Sequence, residues 1–186
     1  MSVHPRTVYN FVAYQVAWFA CVLGAANGHT TIGPLTVMVV VLLHLFLSPQ
    51  PRADFKLMGC ALAIGLVHDT ALLQLGILDF SVAAWSGEWP PPWMFALWIA
   101  FATTLNESLN WLMQRRSLAM LGGAIGGPLA YLAGERLGAL TLHSTWALPA
   151  VGLGWALAML ALSTLCRQLR AGLDSPAYST PAKGGA

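Results

Sequence analysis

Trp93-Met94-Phe95-Ala96-Leu97-Trp98-Ile99-Ala100-Phe101-Ala102-Thr103-Thr104-Leu105-Asn106-Glu107-Ser108-Leu109-Asn110-Trp111-Leu112-Met113 decides how this chain is read. Its length and apolar content are those of a membrane-spanning helix, which needs about 20 residues. Its second half carries a carboxylate and two carboxamides. On a helix advancing about 100° per residue, Asn106, Asn110, Thr103, Gln114 and Glu107 share one arc of roughly a quarter turn. Leu97, Ile99, Phe101, Leu105, Leu109 and Leu112 are spread around the rest. Polar groups at membrane depth cannot face lipid cheaply, so this arc must face other helices or a wet cavity.

The remainder of the chain agrees with a membrane setting. Of its 186 residues, 57% are hydrophobic and only 9% charged, against about 25% charged in a soluble domain. No basic patch is interleaved with aromatic residues, so a nucleic-acid partner is not expected. Cys21, Cys60 and Cys166 all lie in apolar segments and read as packing residues, not as a disulfide framework. Arg6 stands before an apolar run interrupted by Asn10 and Gln15. That is a poor signal peptide, although Ala25-Ala26 imitates a cleavage site.

Six runs approach spanning length: Val8–Ala26, Thr31–Leu47, Leu57–Leu78, Trp93–Met113, Leu118–Leu140 and Trp146–Leu165. The reading is an all-α bundle of six transmembrane helices forming one domain over residues 1–170, with a small, polar, disordered tail over 171–186. Arg6, Arg52, Lys56, Arg115, Arg116, Arg167, Arg170 and Lys183 fall on one side of such a bundle. By the positive-inside rule that side is the cytoplasm, and both termini lie there. Arg136 is the exception among the nine basic residues. Glu135-Arg136 reads as an interfacial ion pair or a snorkelling arginine, with recognition at the outer face as the sharper reading. The connection from Asp79 to Pro92, with Trp85 and Trp89, reads as an interfacial anchor or a lid.

Two glycine patterns speak to packing. In the third run, Gly65, His68, Asp69, Leu72 and Gly76 share an arc, with small residues that admit a close neighbour. In the fifth run, Gly122, Gly126, Ala130, Gly134 and Gly138 form a ladder of step four. Gly123, Gly127, Tyr131 and Glu135 run beside it. The ladder places the fifth helix with the fourth at the bundle centre. Its Gly122/Gly126/Gly134/Gly138 face also suits a membrane-protein partner or a second copy. Pro128 is a kink candidate. Gly122-Gly123-Ala124-Ile125-Gly126-Gly127 follows no strand and is not a phosphate cradle.

Helix rise places Asn10, Tyr14, Gln15, His44, His68, Asp69, Asn106, Glu107 and Asn110 in the midplane and cytoplasmic half. The expectation is one multi-helix cluster. Glu107, Asp69 and His68 are its catalytic candidates, because a carboxyl group in a membrane suits general acid–base work or proton carriage. Asn10, Tyr14, Gln15, Asn106 and Asn110 are candidates for holding a substrate. The blander reading is a polar clamp that keeps helices in register. His68 and Asp69 are adjacent and diverge by about 100°, so they are not expected to pair with each other; His68 is instead placed to meet Glu107. His44, His68, Asp69 and Glu107 match no metal-binding spacing, and no metal or other cofactor is expected. His29 and His143 read as loop residues.

One ordered set of residues resembles a bacterial inner-membrane family catalogued only as a domain of unknown function. It comprises Asn10, Tyr14-Gln15 and Trp18-Phe19; Trp93-Met94 and Leu97-Trp98; Thr104-Leu105-Asn106, Ser108-Leu109 and Trp111-Leu112; and Gly126-Gly127-Pro128-Leu129-Ala130-Tyr131 with Ala133-Gly134. The resemblance covers nearly all of the chain before the tail. It implies a compact multi-pass inner-membrane protein with no established activity. The resemblance also implies a genetic neighbourhood: members of that family are often encoded near lipid-modifying enzymes such as cyclopropane fatty acid synthase, which points towards lipid metabolism. The leading expectation is a protein that acts on lipid or another hydrophobic substrate, or assists an enzyme that does, with membrane lipids as partners. A small proton-coupled transporter and a non-catalytic scaffold subunit are the alternatives. Transport would require a continuous polar path through Glu107, Asp69 and Glu135.

Overall fold

The computed structural model describes residues 4–81 and 88–173. They form α1 (Pro5–Ala26), α2 (Ile32–Leu47), α3 (Pro51–Gln74), β1 (Leu78–Phe80), α4 (Pro92–Leu105), α5 (Asn110–Met113), α6 (Arg116–Arg136), β2 (Leu140–Leu142) and α7 (Ala147–Leu173). Within these, Pro5–Ala26, Pro51–Gln74, Arg116–Arg136 and Ala147–Arg170 are long and apolar enough to cross a membrane. The helices α2 and α4 are apolar but shorter. The outer surface is rich in exposed apolar side chains, among them Leu42, Val67, Leu129, Leu153 and Leu157. Such a surface would associate in water and suits a hydrocarbon surround.

The stretch expected to be one helix is two. Helix α4 stops at Leu105, with Asn106 at its C-cap, and the chain resumes helical form only at Asn110. Several local bonds favour the stop. Thr103 and Thr104 turn their hydroxyls back onto the carbonyls of Ala100 and Phe101 at 2.7 and 2.6 Å. The amides of Glu107 and Leu109 both bond to the Thr104 carbonyl, at 3.1 and 2.8 Å. Asn10 of α1 braces the turn from outside. Its Nδ2 donates to the Thr103 carbonyl at 3.1 Å, and its Oδ1 accepts from Ser108 Oγ at 2.7 Å and from the Ser108 amide at 3.3 Å. Backbone groups that a break exposes must find partners in an apolar setting, and here one buried carboxamide supplies several. The single helical arc drawn through Thr103 and Asn110 therefore does not exist beyond Asn106.

Helix α4 lies among α1, α2 and α3, while α3 leads across to α7 and α6 packs along α7. The central position expected of the fourth run holds. That expected of the fifth, now α6, does not. The glycine rows explain the difference. Gly123 and Gly127 sit against Trp155 of α7, with no room there for a Cβ. The ladder row beside them is looser: a Cβ at Gly126 would meet nothing within 4 Å, one at Gly134 would make ordinary contact with Leu140, and one at Gly122 would reach a Leu112 methyl at 3.0 Å. Close packing thus uses the second row. In α3 the expectation succeeds, because Gly65 receives the Trp98 ring of α4.

Helices α1, α3 and α6 end alike. Gly28, Gly76 and Gly138 each follow the helix with φ of +77°, +64° and +86°. In each case the glycine amide and the next amide bond back to carbonyls of the last turn, as in the Schellman motif. Gly138 is therefore a cap, not a rung of the packing ladder. At the same end of the bundle, β1 and β2 pair antiparallel with Leu78 opposite Leu142. Glu135 Oε1 accepts the Leu142 amide at 2.8 Å. The expected Glu135–Arg136 ion pair is thus replaced by a carboxylate that caps a strand, and Arg136 is exposed. Trp93 at the start of α4 is buried against Phe80, whereas Trp89 is half exposed. Trp85, and with it the centre of the expected anchor or lid, lies outside the described residues.

Candidate functional site

The break after α4 opens a polar cavity of about 240 Å³ lined by Ser48, Pro49, Gln50, Asp54, Asn106, Glu107 and Arg170. Asp54 is the centre of its wall and is almost wholly buried. Its Oδ2 faces His44 Nε2 at 3.1 Å and accepts from the Ser48 hydroxyl. Its Oδ1 accepts from Asn106 Nδ2 at 2.7 Å. Asn106 then accepts through Oδ1 from the Arg170 guanidinium at 3.2 Å. Beside this relay, Glu107 Oε1 pairs with Arg6 at 2.7 Å. The first and last helices thus each send an arginine to adjacent residues of the same four-residue break. Carboxylates paired and hydrogen-bonded in this way tolerate burial that a lone charge would not.

Alongside lies an apolar fissure. It measures about 240 Å³ and is lined by Tyr14 of α1, Phe101 of α4, Leu109 and Leu112 of the break and α5, glycines of both α6 rows, and Trp155 and Met159 of α7. A separate small cavity of about 40 Å³ shares Tyr14, Phe101, Ala130 and Trp155 with it and is also lined by Trp18, Trp93, Trp98, Tyr131 and Leu140. Trp98 stacks on Trp155 with centroids 4.4 Å apart, and Phe101 meets Trp155 edge-on at 5.1 Å. The segment that sends Asn106 and Glu107 to the polar cavity sends Leu109 and Leu112 to the fissure. A polar chamber and an apolar slot therefore take wall residues from one short segment, 106–112.

A second polar cluster is buried deeper in the helix bundle. Asp69 is fully buried. Trp98 Nε1 donates to its Oδ2 at 2.7 Å, and Tyr131 donates to its Oδ1. His68 Nδ1 lies 2.8 Å from the same Oδ1. The expectation that His68 and Asp69 diverge too far to pair is corrected here. Asp69 is pinned by α4 and α6, and the His68 ring folds back to it while packing against Gly154 of α7. His68 Nε2 is buried with no hydrogen-bond partner among the described residues.

The single cluster expected from depth is therefore two. Along α3 the two aspartates are separated by the core residues Leu57, Met58 and Ala61 and by the buried Gly65. His68 meets Asp69 and not Glu107, while His44 joins Asp54. Asn106 and Glu107 line the polar cavity, and Asn10 braces its turn. Tyr14 walls the fissure. Asn110 accepts from Gln114 at 2.9 Å away from the cavity. Gln15 is half-buried and makes no side-chain hydrogen bond among the described residues. His143 reaches Asp79 at 2.8 Å on the exposed hairpin, and His29 is exposed.

Sequence reasoning overlooked Asp54, Ser48, Arg6 and Arg170. Asp54 sits between Arg52 and Lys56, so it read as part of a charged loop. Helix α3 begins at Pro51, six residues before the expected Leu57, and carries Asp54 inward on its first turn. The available signal was Pro51 itself, which favours the first position of a helix, with an acid in the first turn.

A family model described as a protein of unknown function (DUF2878) matches residues 7–161. The chain belongs to that family. No curated protein and no solved structure matches it. The DUF2878 span takes in Asn10, Asp54, the α4 break and the Asp69 cluster. It leaves out Arg6 and Arg170, the two arginines that meet Asn106 and Glu107.

Proposed function

We propose that this protein resides in a bacterial inner membrane and acts on a lipid or another hydrophobic substrate, or assists an enzyme that does, through the cavity at the α4 break. The observation that carries the reading is that one segment, residues 106–112, walls both a polar chamber and an apolar slot. An amphiphile has the same two parts. From Gly122 to Ala130 the fissure follows α6 for roughly 12 Å, most of the roughly 15 Å that one leaflet contributes to a hydrocarbon core of about 30 Å. The open position at Gly126 then makes room for a hydrocarbon chain in place of a second copy of the protein.

Within this proposal the chain crosses the membrane six times with both ends in the cytoplasm. Helix α2 spans about 24 Å and α4 about 21 Å, and the turn and α5 complete the α4 crossing. Arg6, Arg52, Lys56, Arg115, Arg116, Arg167 and Arg170 all lie at the cavity end, which the positive-inside rule assigns to the cytoplasm. Glu107 handles a proton or a polar group of the substrate, and Asn106 orients it. Asp69 and His68 tie α3, α4, α6 and α7 together. The core between Asp54 and Asp69 is apolar, which speaks for a pocket rather than a transport path.

Lipidomics of a strain lacking the protein tests the substrate class. The expected result is a change in one lipid class or in its acyl chains, reversed by the wild-type chain. An unchanged lipidome across growth conditions would remove the lipid reading.

A further inference from the structure

We infer that the cavity at the α4 break receives a singly charged anionic group, a phosphodiester or a carboxylate, on the guanidinium of Arg170; the inference rests on the lipid reading above and names the headgroup class.

The donor and acceptor inventory of the cavity carries it. Both oxygens of Asp54 are taken, one by Asn106 and the other by His44 and Ser48. Glu107 pairs through Oε1 with Arg6, which balances its charge, and its Oε2 is left as an acceptor. Asn106 spends its amide on Asp54 and its carbonyl on Arg170. What remains is mostly donors. A guanidinium carries five N–H groups in a planar fork. Arg170 uses one, at 3.2 Å, on a neutral carbonyl, and among the described residues no carboxylate stands within 4.0 Å of it. Gln50 adds a carboxamide with no side-chain hydrogen bond among the described residues. A ligand that satisfies this wall must bring acceptor oxygens, and arginine binds phosphate and carboxylate by two parallel bonds.

Asp54 limits the charge of that ligand. It lies one carboxamide away from Arg170, and its field opposes further negative charge in the same chamber. A monoanion that makes direct bonds to the fork is therefore favoured over a dianion. The Asp54–Asn106–Arg170 relay links α3, α4 and α7 and holds the guanidinium at the cavity wall, so Asn106 and Asp54 act as positioning residues.

The test is a native mass spectrometry titration of the full chain in a neutral detergent, with phosphatidylglycerol, phosphatidylcholine and inorganic phosphate as separate probes. The variants are Arg170→Gln, Arg170→Lys and Arg167→Gln. The last removes the same charge from an exposed position on the same helix. The expected result is phosphatidylglycerol bound about tenfold or more tightly than phosphatidylcholine. Arg170→Gln abolishes that preference, Arg170→Lys keeps part of it and Arg167→Gln keeps all of it. Equal binding of the two lipids, or equal loss in Arg167→Gln and Arg170→Gln, overturns the anionic headgroup while leaving a lipid site. Binding of neither lipid overturns the lipid reading with it. Arg170-dependent binding of inorganic phosphate alone moves the anion site from a lipid to a free solute and overturns the headgroup assignment.

Discussion

Asp69 and Glu107 are both acids in an apolar bundle, and their surroundings give them opposite sensitivities. Asp69 is fully buried and accepts hydrogen bonds on both oxygens from Trp98, Tyr131 and His68. In Asp69→Asn one of those oxygens becomes an amide nitrogen facing a donor. Leaving such groups unsatisfied costs about 1–3 kcal/mol, so the variant is expected to unfold at lower denaturant in detergent, as followed by tryptophan fluorescence. Glu107 meets Arg6 where both side chains keep contact with solvent, at 15% and 32% exposure. Pairs of that kind contribute about 0–1 kcal/mol. Glu107→Gln is therefore expected to fold and accumulate like the wild type. The sequence showed that both acids needed partners. It did not show which, because apart from His68 the partners come from α1, α4 and α6, far along the chain.

At the scale of elements, the α4 break and the α6 glycine rows were the least legible parts. Hydropathy saw Trp93–Met113 as continuous because a break changes hydrogen bonding, not apolar content. Thr103, Thr104 and Asn106 are residues whose side chains compete with helical backbone bonds, and their grouping was the available hint. Step-four glycines announced close packing correctly, but two adjacent rows carried them, and the bulky Trp155 of α7 decides which row is filled. Gly127→Ala would push a Cβ into the Trp155 ring, an overpacking that costs about 1–3 kcal/mol. Gly126→Ala meets nothing within 4 Å and gains helix propensity. Thermal unfolding of the two variants is expected to differ in that direction. Equal destabilisation would return the ladder row to a packed interface.

For the molecule as a whole, the membrane character and the helical content were readable from composition alone, since so few charges occur among 186 residues. The convergence of both end helices on residues 106 and 107 was not, because nothing local joins Arg6 to Arg170. That convergence bears on topology: if the chain crosses six times, reporters fused at either end give cytoplasmic signals in intact cells. A periplasmic signal from one end alone would require an odd number of spans and dissolve the positive-inside assignment. On the function proposed above, the chamber at the α4 break performs the protein's work and is not merely a brace. That role is tested most directly in a strain lacking the protein, complemented with Glu107→Gln at wild-type membrane abundance and compared by lipidomics. The expected result is that the wild type restores the lipid profile while Glu107→Gln does not. Full restoration by Glu107→Gln, or loss of abundance in step with loss of function, would contradict it.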